Sequence, residues 1–545
     1  MDSINIFIII AIAIPLILAC YTLFKMKETS ETSDEFHTKG GNLTNREFLD
    51  TSLSYAYQIA AISLFAFWGF HYGFWVIWVP VFWGVGYFLL RWFNKKGYVQ
   101  RFMNNSEETI HGLLSNHYRL RSIAVLAAFT SVLGMAGTAF FEAEFTANII
   151  NDTMIGGDTS FSLLLFLLFV GFALTYIILG GKNAIVKTDH LQLKIGYVGF
   201  TLFFGGIVGL VFTYGHIVTG SIIFAVSLIL LVFLYFYFKK IDLDLNKDKS
   251  YHWALTLGVI GFVLGAGLSV YFFFDSNTDT KDYPLGIFFA NIGFANVFVL
   301  GFPLISLLIA NVCWQLIDVS SWQRMTSMRN SQDFQNNLGK ALKFIGIYSP
   351  ITWMFAIFLG MCIKLIAVNF GDAYNPLSEL LVSFVSSGHI WQTVLVVVMV
   401  LTLILIMFST MDSILIAISF TAQKDMMPKS HSENQKNIKW GTAILTVILL
   451  IAYLLVRTRV SGIDGILYTF YSFQLALVPS IVGALLNKST NKFAALGSII
   501  LGIATPIVVP FLGLEPYEWT PLLTVAISTI TYVLINLIYK NERTS

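Results

Sequence analysis

Charge is scarce in this chain. Only 12% of its 545 residues are Asp, Glu, Lys or Arg, against about a quarter in a soluble protein. That shortage excludes an ordinary soluble domain. A net charge of +2 provides no basic excess, and no nucleic-acid partner is expected. Cysteine is scarcer still. Cys20, Cys313 and Cys362 all fall inside apolar segments, which excludes a disulfide framework and a cysteine metal site. No Ser/His/Asp set, zinc motif or phosphate loop occurs in a suitable context, so an enzyme is not expected. Nothing resembles a repeated selectivity filter, which weighs against a channel. The opening MDSIN lacks the basic region of a signal peptide. ILAC at 17–20 therefore reads as part of an uncleaved first span, since the apolar run continues to Phe24.

What the chain has instead is apolar length. It is 56% hydrophobic, with a mean hydropathy of +0.73. Segment after segment exceeds the roughly 20 apolar residues that span a bilayer. The expectation is an all-α polytopic protein of the cell (plasma or inner) membrane, with the lipid bilayer as a partner and about fifteen spans. They fall near 4–24, 50–72, 73–93, 121–151, 160–180, 186–214, 217–239, 252–275, 286–320, 336–370, 388–424, 438–456, 461–486, 490–513 and 518–539. Lys and Arg favour the cytoplasmic side. With the N-terminus outside and the C-terminus inside, all but four of the 33 Lys and Arg fall on that side or at its helix ends. The exceptions are Lys281, Arg457 and Arg459 opposite, and Lys364 within a span.

Ionisable residues inside the spans are Glu142, Glu144, Asp189, Asp318, Lys364 and Asp412. Such groups are costly in lipid and normally face a bundle interior or a water-filled cavity. Five of the six are acidic, which suits a cation pathway. The plain alternative is a buried carboxylate paired with a hydroxyl or with Lys364.

FSTMDSILIAISFT, 408–421, concentrates the pattern. On a helix, Ser409, Asp412 and Ser413 share a face, and Thr410 lies about 100° round from Ser409. Oxygen ligands suit a hard cation. A bare sodium ion needs more oxygens than this helix supplies, so other segments must add theirs, including carbonyls freed by a broken helix. YAYQIAAIS, 55–63, is one such segment, with Gln58 in mid-span. It reads equally well as a small-residue packing face. GGKNAIVKTDHLQ, 180–192, is another. There Asp189 is either a ligand or a helix cap.

At these stretches the chain resembles the sodium/solute symporter family. Gly180, Gly181, Ala184, Ile185, Thr188, Asp189 and Gln192 follow a family run, and Ser409 and Thr410 follow a family Ser-Ser/Thr pair, with Asp412, Ser413, Thr421 and Asp425 after it. ETIHGLLSNHYRLR (108–121) is similar to a family loop, without its Pro and Glu, and WQR (322–324) stands where the family has Gln-Arg. The resemblance implies a LeuT-type fold. A first transmembrane helix and loop (1–49) would precede a five-helix repeat (50–214). A second, inverted five-helix repeat (286–486) would follow, then two C-terminal helices and a short tail (487–545). Residues 215–285 would be an inserted hairpin. It implies a first sodium site from Ala56, Ile59, Ile406, Ser409 and Thr410. A second cation site, for Na⁺ or H⁺, would use Asp189, Ser409, Asp412 and Ser413.

The activity implied is sodium-coupled import of a small organic solute by alternating access, with sodium ions as the bound cofactor and no obligatory protein partner. Cavity candidates are Gln58, Ser63, Glu142, Trp314, Gln315, Asp318, Tyr471 and Gln474. Cys313-Trp314-Gln315 with Asp318 departs from the sugar members' pattern. No Lys or Arg is placed in the cavity by sequence. Acidic residues with Trp314 suit an amine through charge and cation–π contact, so an amino acid or other nitrogenous solute is favoured. Trp68, Trp75, Trp78, Trp83 and Trp92 are expected to form an interfacial belt. The rival reading is a transporter-like membrane sensor. Because the chain ends at NERTS soon after its last span, a sensor would need a separate partner.

Overall fold

The computed structural model describes residues 9–10, 12–17, 20, 32–104, 109–155, 159–240, 249–273, 294–366, 375–427, 435–458, 460, 463–486, 488, 490–512 and 519–542. Among these residues, twelve helical stretches are long and apolar enough to cross a membrane. Two of the twelve contain more than one pass. Thr159–Thr213 has 55 residues, about 80 Å at 1.5 Å per residue, far beyond a hydrocarbon core of roughly 30 Å. It turns back at Gly181, whose φ of 55° is open to glycine without a Cβ clash. The Tyr176 and Thr188 hydroxyls meet at 2.8 Å, where an unbroken helix would hold their Cα atoms about 18 Å apart. Ile59–Lys95 reverses after Gly73, φ 69°. Trp353 consequently touches both Phe65 before the turn and Trp83 after it.

The helices in chain order are α1 Ser33–Thr38, α2 Asn45–Ala56, α3 Ile59–Tyr72, α4 Trp78–Lys95, α5 Tyr98–Asn104, α6 Ile110–Tyr118 and α7 Arg121–Ile155. They continue with α8 Thr159–Thr213, α9 Ile217–Lys240, α10 Lys249–Phe273, α11 Phe294–Ile317, α12 Val319–Ser327 and α13 Phe334–Ile366. The last are α14 Pro376–Ser387, α15 Ile390–Thr421, α16 Gln435–Arg457, α17 Ile463–Leu475, α18 Val478–Leu485, α19 Lys492–Phe511 and α20 Thr520–Glu542. Most of the span expected at 4–24 lies outside the described residues, as do 286–293 of the span expected at 286–320.

Three expected spans are not continuous helices. The span at 50–72 is α2 and α3, separated at Tyr57 and Gln58, where Gln58 is extended at ψ 138°. The span at 286–320 is interrupted at Asp318, ψ 106°, which caps α12. The span at 461–486 is α17 and α18. Helix α14 was not anticipated from hydropathy, because twelve residues are too few to cross.

Helices α3, α7, α8, α13 and α15 carry the core. On α15, every residue from Leu403 to Thr421 is buried, so its polar groups have no access to solvent and must find partners inside. Helix α10 packs on the second half of α8 at backbone distance. A Cβ at Gly205 would sit 2.1 Å from the Phe262 carbonyl oxygen, and one at Gly265 would sit 2.3 Å from that of Leu202. Small residues permit this approach in lipid, where apolar burial gives helices no net attraction. Trp391 of α15 adds an indole bond to Ser269 of α10 at 2.8 Å. The tryptophan belt is only partly present. Trp78 and Trp92 are exposed at 47% and 45%, but Trp68 and Trp83 are buried, the latter against Trp353.

Candidate functional site: an oxygen-rich cluster and a solute cavity

Two helix breaks meet at the centre. At the first, α2 ends with the Tyr57 N–H donating to Leu53 and Ser54 carbonyls at 3.1 Å each. The free N–H groups at the start of α3 are then met by Glu142 of α7. Ile59 N–H donates to one carboxylate oxygen at 2.8 Å and Ala60 N–H to the other at 3.1 Å. At the second break, Asp318 accepts from the Ser320 and Ser321 N–H groups at 3.1 Å each and from the Ser321 hydroxyl at 2.6 Å. The breaks are tied together. The Tyr55 hydroxyl of α2 donates to Asp318 at 3.1 Å, and the Arg324 guanidinium lies 4.2 Å over the Tyr55 ring.

Beside the first break, α2, α8 and α15 bring oxygens together. The Ser409 hydroxyl donates to Asp189 at 2.6 Å and touches the Ser54 hydroxyl. Five further buried oxygens here or one turn away have no hydrogen-bond partner: the second Asp189 oxygen, Asp412 Oδ1, Thr410 Oγ1, Ser413 Oγ and Gln192 Oε1. An unsatisfied buried acceptor costs about 1–3 kcal/mol, so a set of them fits a hard cation bound through oxygen. Of the residues expected at the first sodium site, Ser409 and Thr410 are in this cluster. The Ala56 carbonyl is directed elsewhere, accepting the Trp353 indole N–H at 2.8 Å. Ser54, which the sequence reading did not select, is the α2 group that meets Ser409.

Sequence reasoning also missed two cations. Lys182 and Arg324 are buried at 1% and 2% and lie within electrostatic range of both Asp189 and Asp412. The Lys182 ammonium has no hydrogen-bond partner. Lys182 stands inside the quoted Gly-Gly run, and its place there was the available signal. Lys364 pairs with none of these carboxylates. It is an exposed residue near the end of α13, 5.8 Å from the Phe70 ring. Glu144 is held by Arg457 at 2.9 Å and by the Tyr453 hydroxyl, a structural pairing away from the cluster.

A cavity of about 70 Å³ lies against α3, lined by Gln58 and by residues of α3, α4, α7, α11, α13, α17 and α20. Of the eight solute candidates, only Gln58 and Tyr471 line it. Tyr471 stacks on Trp314 at 3.6 Å, and Trp314 itself is behind it. Glu142 and Asp318 are consumed by the helix breaks. Gln315 and Gln474 are fully buried without side-chain partners, and Ser63 is buried with its hydroxyl unpartnered; none of the three lines the cavity. Thr138, Asn311, Trp68, Trp353 and Tyr468 do, placed there by helix packing that hydropathy does not encode.

The opposite end is strapped shut by α1. Gln323 donates to the His37 carbonyl at 2.9 Å, Ser33 to Gln423 at 2.9 Å, and Arg329 to Asp34 at 2.6 Å. The His37 ring donates from Nδ1 to the Ser33 carbonyl at 3.0 Å, so Nε2 accepts from Ser419 at 2.9 Å. Burial, with the Lys424 charge adding to it and the Ser33 carbonyl and Asp34 opposing only in part, lowers its pKa from 6.5 to about 3. Protons therefore bind the opened strap in preference to the closed one. The contribution of His37 is complete above pH 6.5 and drains as pH falls towards 3. Hydrogen exchange of residues 33–38 should accelerate over that window. Exchange independent of pH, after correction for the intrinsic rate, would remove His37 from the closure. Nearby, α6 docks on the π-helical turn Ala422–Met426 as Thr109 and His111 bond Asp425 at 2.6 and 2.8 Å.

With this geometry in view, the chain is similar in fold to a solved sodium-coupled sialic acid symporter in a substrate-bound, outward-open state. The TM-score is 0.64 at 14% identity, over 98% of this chain and 97% of that one. A second solved structure, MhsT in complex with L-phenylalanine, has a TM-score of 0.39 at 13% identity, over 90% of this chain and 97% of that one, too low to carry an argument. No protein-family model matches the chain, and no curated protein matches it in sequence.

Proposed function

We propose that this chain is a sodium-coupled symporter that imports a small nitrogenous solute by alternating access. The observation that carries the reading is the buried oxygen cluster between α2, α8 and α15, beside a helix broken at Gln58. Broken helices at mid-membrane are where transporters of this architecture bind ions and solutes. The breaks at Gln58 and Asp318 open the two halves, 50–214 and 286–486, which supports reading them as inverted repeats. The likeness in fold to a sodium-coupled sialic acid symporter supports the same function class. We place the N-terminus outside on the Lys and Arg bias.

Ser409 and Thr410, with Ser54, are the proposed sodium ligands. Asp189, Asp412 and Ser413 form the second cation site. Lys182, Arg324, Asp189, Asp412 and Asp318 together contribute two positive and three negative charges. One cation balances that excess, so the second cation is read as a proton that alternates with the bound sodium ion at the Asp189 and Asp412 carboxylates rather than as a second sodium ion beside it.

Purified protein melted in sodium chloride and in potassium chloride at equal ionic strength tests the proposal. Sodium should raise the melting temperature saturably, and Ser409→Ala should abolish the difference. Equal melting of the wild type in both salts would refute the sodium site.

A further inference from the structure

Resting on the symporter reading, we propose that the transported solute has no carboxylate and is recognised through an amine or amide nitrogen. The argument begins at the break between α2 and α3. A helix start leaves backbone N–H groups unpaired and carries a partial positive charge. In a transporter that end is a natural berth for an anionic group of the solute. Here the berth is taken. Both oxygens of Glu142 are engaged, one by Ile59 N–H at 2.8 Å and one by Ala60 N–H at 3.1 Å, and the side chain is fully buried at 0%. The chain supplies its own carboxylate at the point where a solute's would bind.

The neighbouring cavity reinforces this. It is lined by Gln58 and Ala60 from the same break, and by Thr138, one helical turn before Glu142 on α7. No Lys, Arg or His is among its lining residues. The two buried cations, Lys182 and Arg324, and the oxygens of the proposed sodium cluster do not line it either. A solute carboxylate placed there would meet another carboxyl group a turn away, an occupied helix end and no cation. A protonated amine would meet the Gln58 amide and the rings of Phe65, Trp68, Trp353 and Tyr471, which attract cations through the ring quadrupole. An amide nitrogen would find the same acceptors without a charge to desolvate.

Matched solutes test the inference on the full-length protein in saturating sodium. Suitable sets are phenylalanine, phenylalaninamide and phenylethylamine; leucine, leucinamide and isoamylamine; and glycine betaine with choline. The expected result is sodium-dependent thermal stabilisation by an amine or amide member at a concentration at least tenfold below that needed for its carboxylate partner. Competition against the best amine should rank the solutes in the same order. A carboxylate member that is equal or better would overturn the inference and leave the symporter reading standing. So would the absence of any solute effect while sodium alone still stabilises. Loss of the sodium effect itself would instead overturn the symporter reading. Glu142→Gln replaces one acceptor oxygen by an amide NH2 and so frees one N–H at the start of α3, and the variant should move the preference towards the carboxylate members. An unchanged ranking in a folded variant would count against the inference.

Discussion

Asp189→Asn should weaken sodium binding about 100-fold, or roughly 2.8 kcal/mol at 1.4 kcal/mol per tenfold, whereas Lys182→Gln should strengthen it. The two substitutions act on one charge balance from opposite sides. Asparagine keeps an oxygen to accept the Ser409 hydroxyl, which Asp189 now accepts at 2.6 Å, so the local geometry is retained and only the charge is lost. With that carboxylate gone, Lys182 and Arg324 offset the remaining acidic groups, and nothing calls for an added cation. Removing the Lys182 ammonium does the reverse, leaving two negative charges in excess. Charges this deep are weakly screened, so each removal is felt at every neighbour. Sodium titrations followed by melting temperature or tryptophan fluorescence give both affinities. The wild type should titrate with a Hill slope near one for sodium, and Lys182→Gln with a steeper slope as a second ion enters. If both variants move the affinity in the same direction, the charge-balance account of the cluster is wrong.

Asp318→Ala should be the most destabilising single change at the site. Asp318 is fully buried at 0%. It caps α12 through two backbone N–H groups, accepts the Tyr55 hydroxyl and faces the Arg324 guanidinium. Alanine would orphan the helix start, the phenol and a buried guanidinium together. Breaking a buried charge pair from one side costs about 3–5 kcal/mol, because the partner stays buried and unpaired. Asp318→Asn, which retains acceptors for the cap, should lose less. Adding Arg324→Met to Asp318→Ala should recover part of the loss, since the stranded cation is then gone. Melting in detergent, followed by the monodisperse fraction, measures all three. An Asp318→Ala protein as stable as the wild type would show that the second break does not depend on this cap.

The polar arc on 408–421 was legible because an α-helix repeats every 3.6 residues, so Ser409, Asp412 and Ser413 had to share a face whatever surrounded them. The interruption at Gln58 was only half legible, since a polar residue in mid-span among Ala56, Ala60 and Ala61 read equally well as a break or as a small-residue packing face. Asp318 was read as a cavity residue, and the break it caps was missed. Its carboxylate points along its own helix start, a local geometry that composition does not reveal.

Lys182 was passed over for a related reason. It lies at the reversal after Gly181, where sequence places it at a loop edge, free to reach water. Only the fold of α8 back on itself, with α12 and α15 packed across, buries it at 1% beside two carboxylates.

The sequence by itself therefore determined that the chain lives in a bilayer, because its apolar runs are too long and too poorly charged for water, and that one helix presents an oxygen-lined face. It also determined which residue types were available to hold a cation. The tertiary structure decided which of them meet. It turned Glu142 from a solute ligand into the cap of α3, gave the Ala56 carbonyl to Trp353, and replaced most of the expected cavity lining with aromatic and hydroxyl groups from other helices. Helical periodicity is local and survives without neighbours. Partnership between buried polar groups depends on contacts across hundreds of residues, and in a low-dielectric interior those partnerships set the energy of every charge.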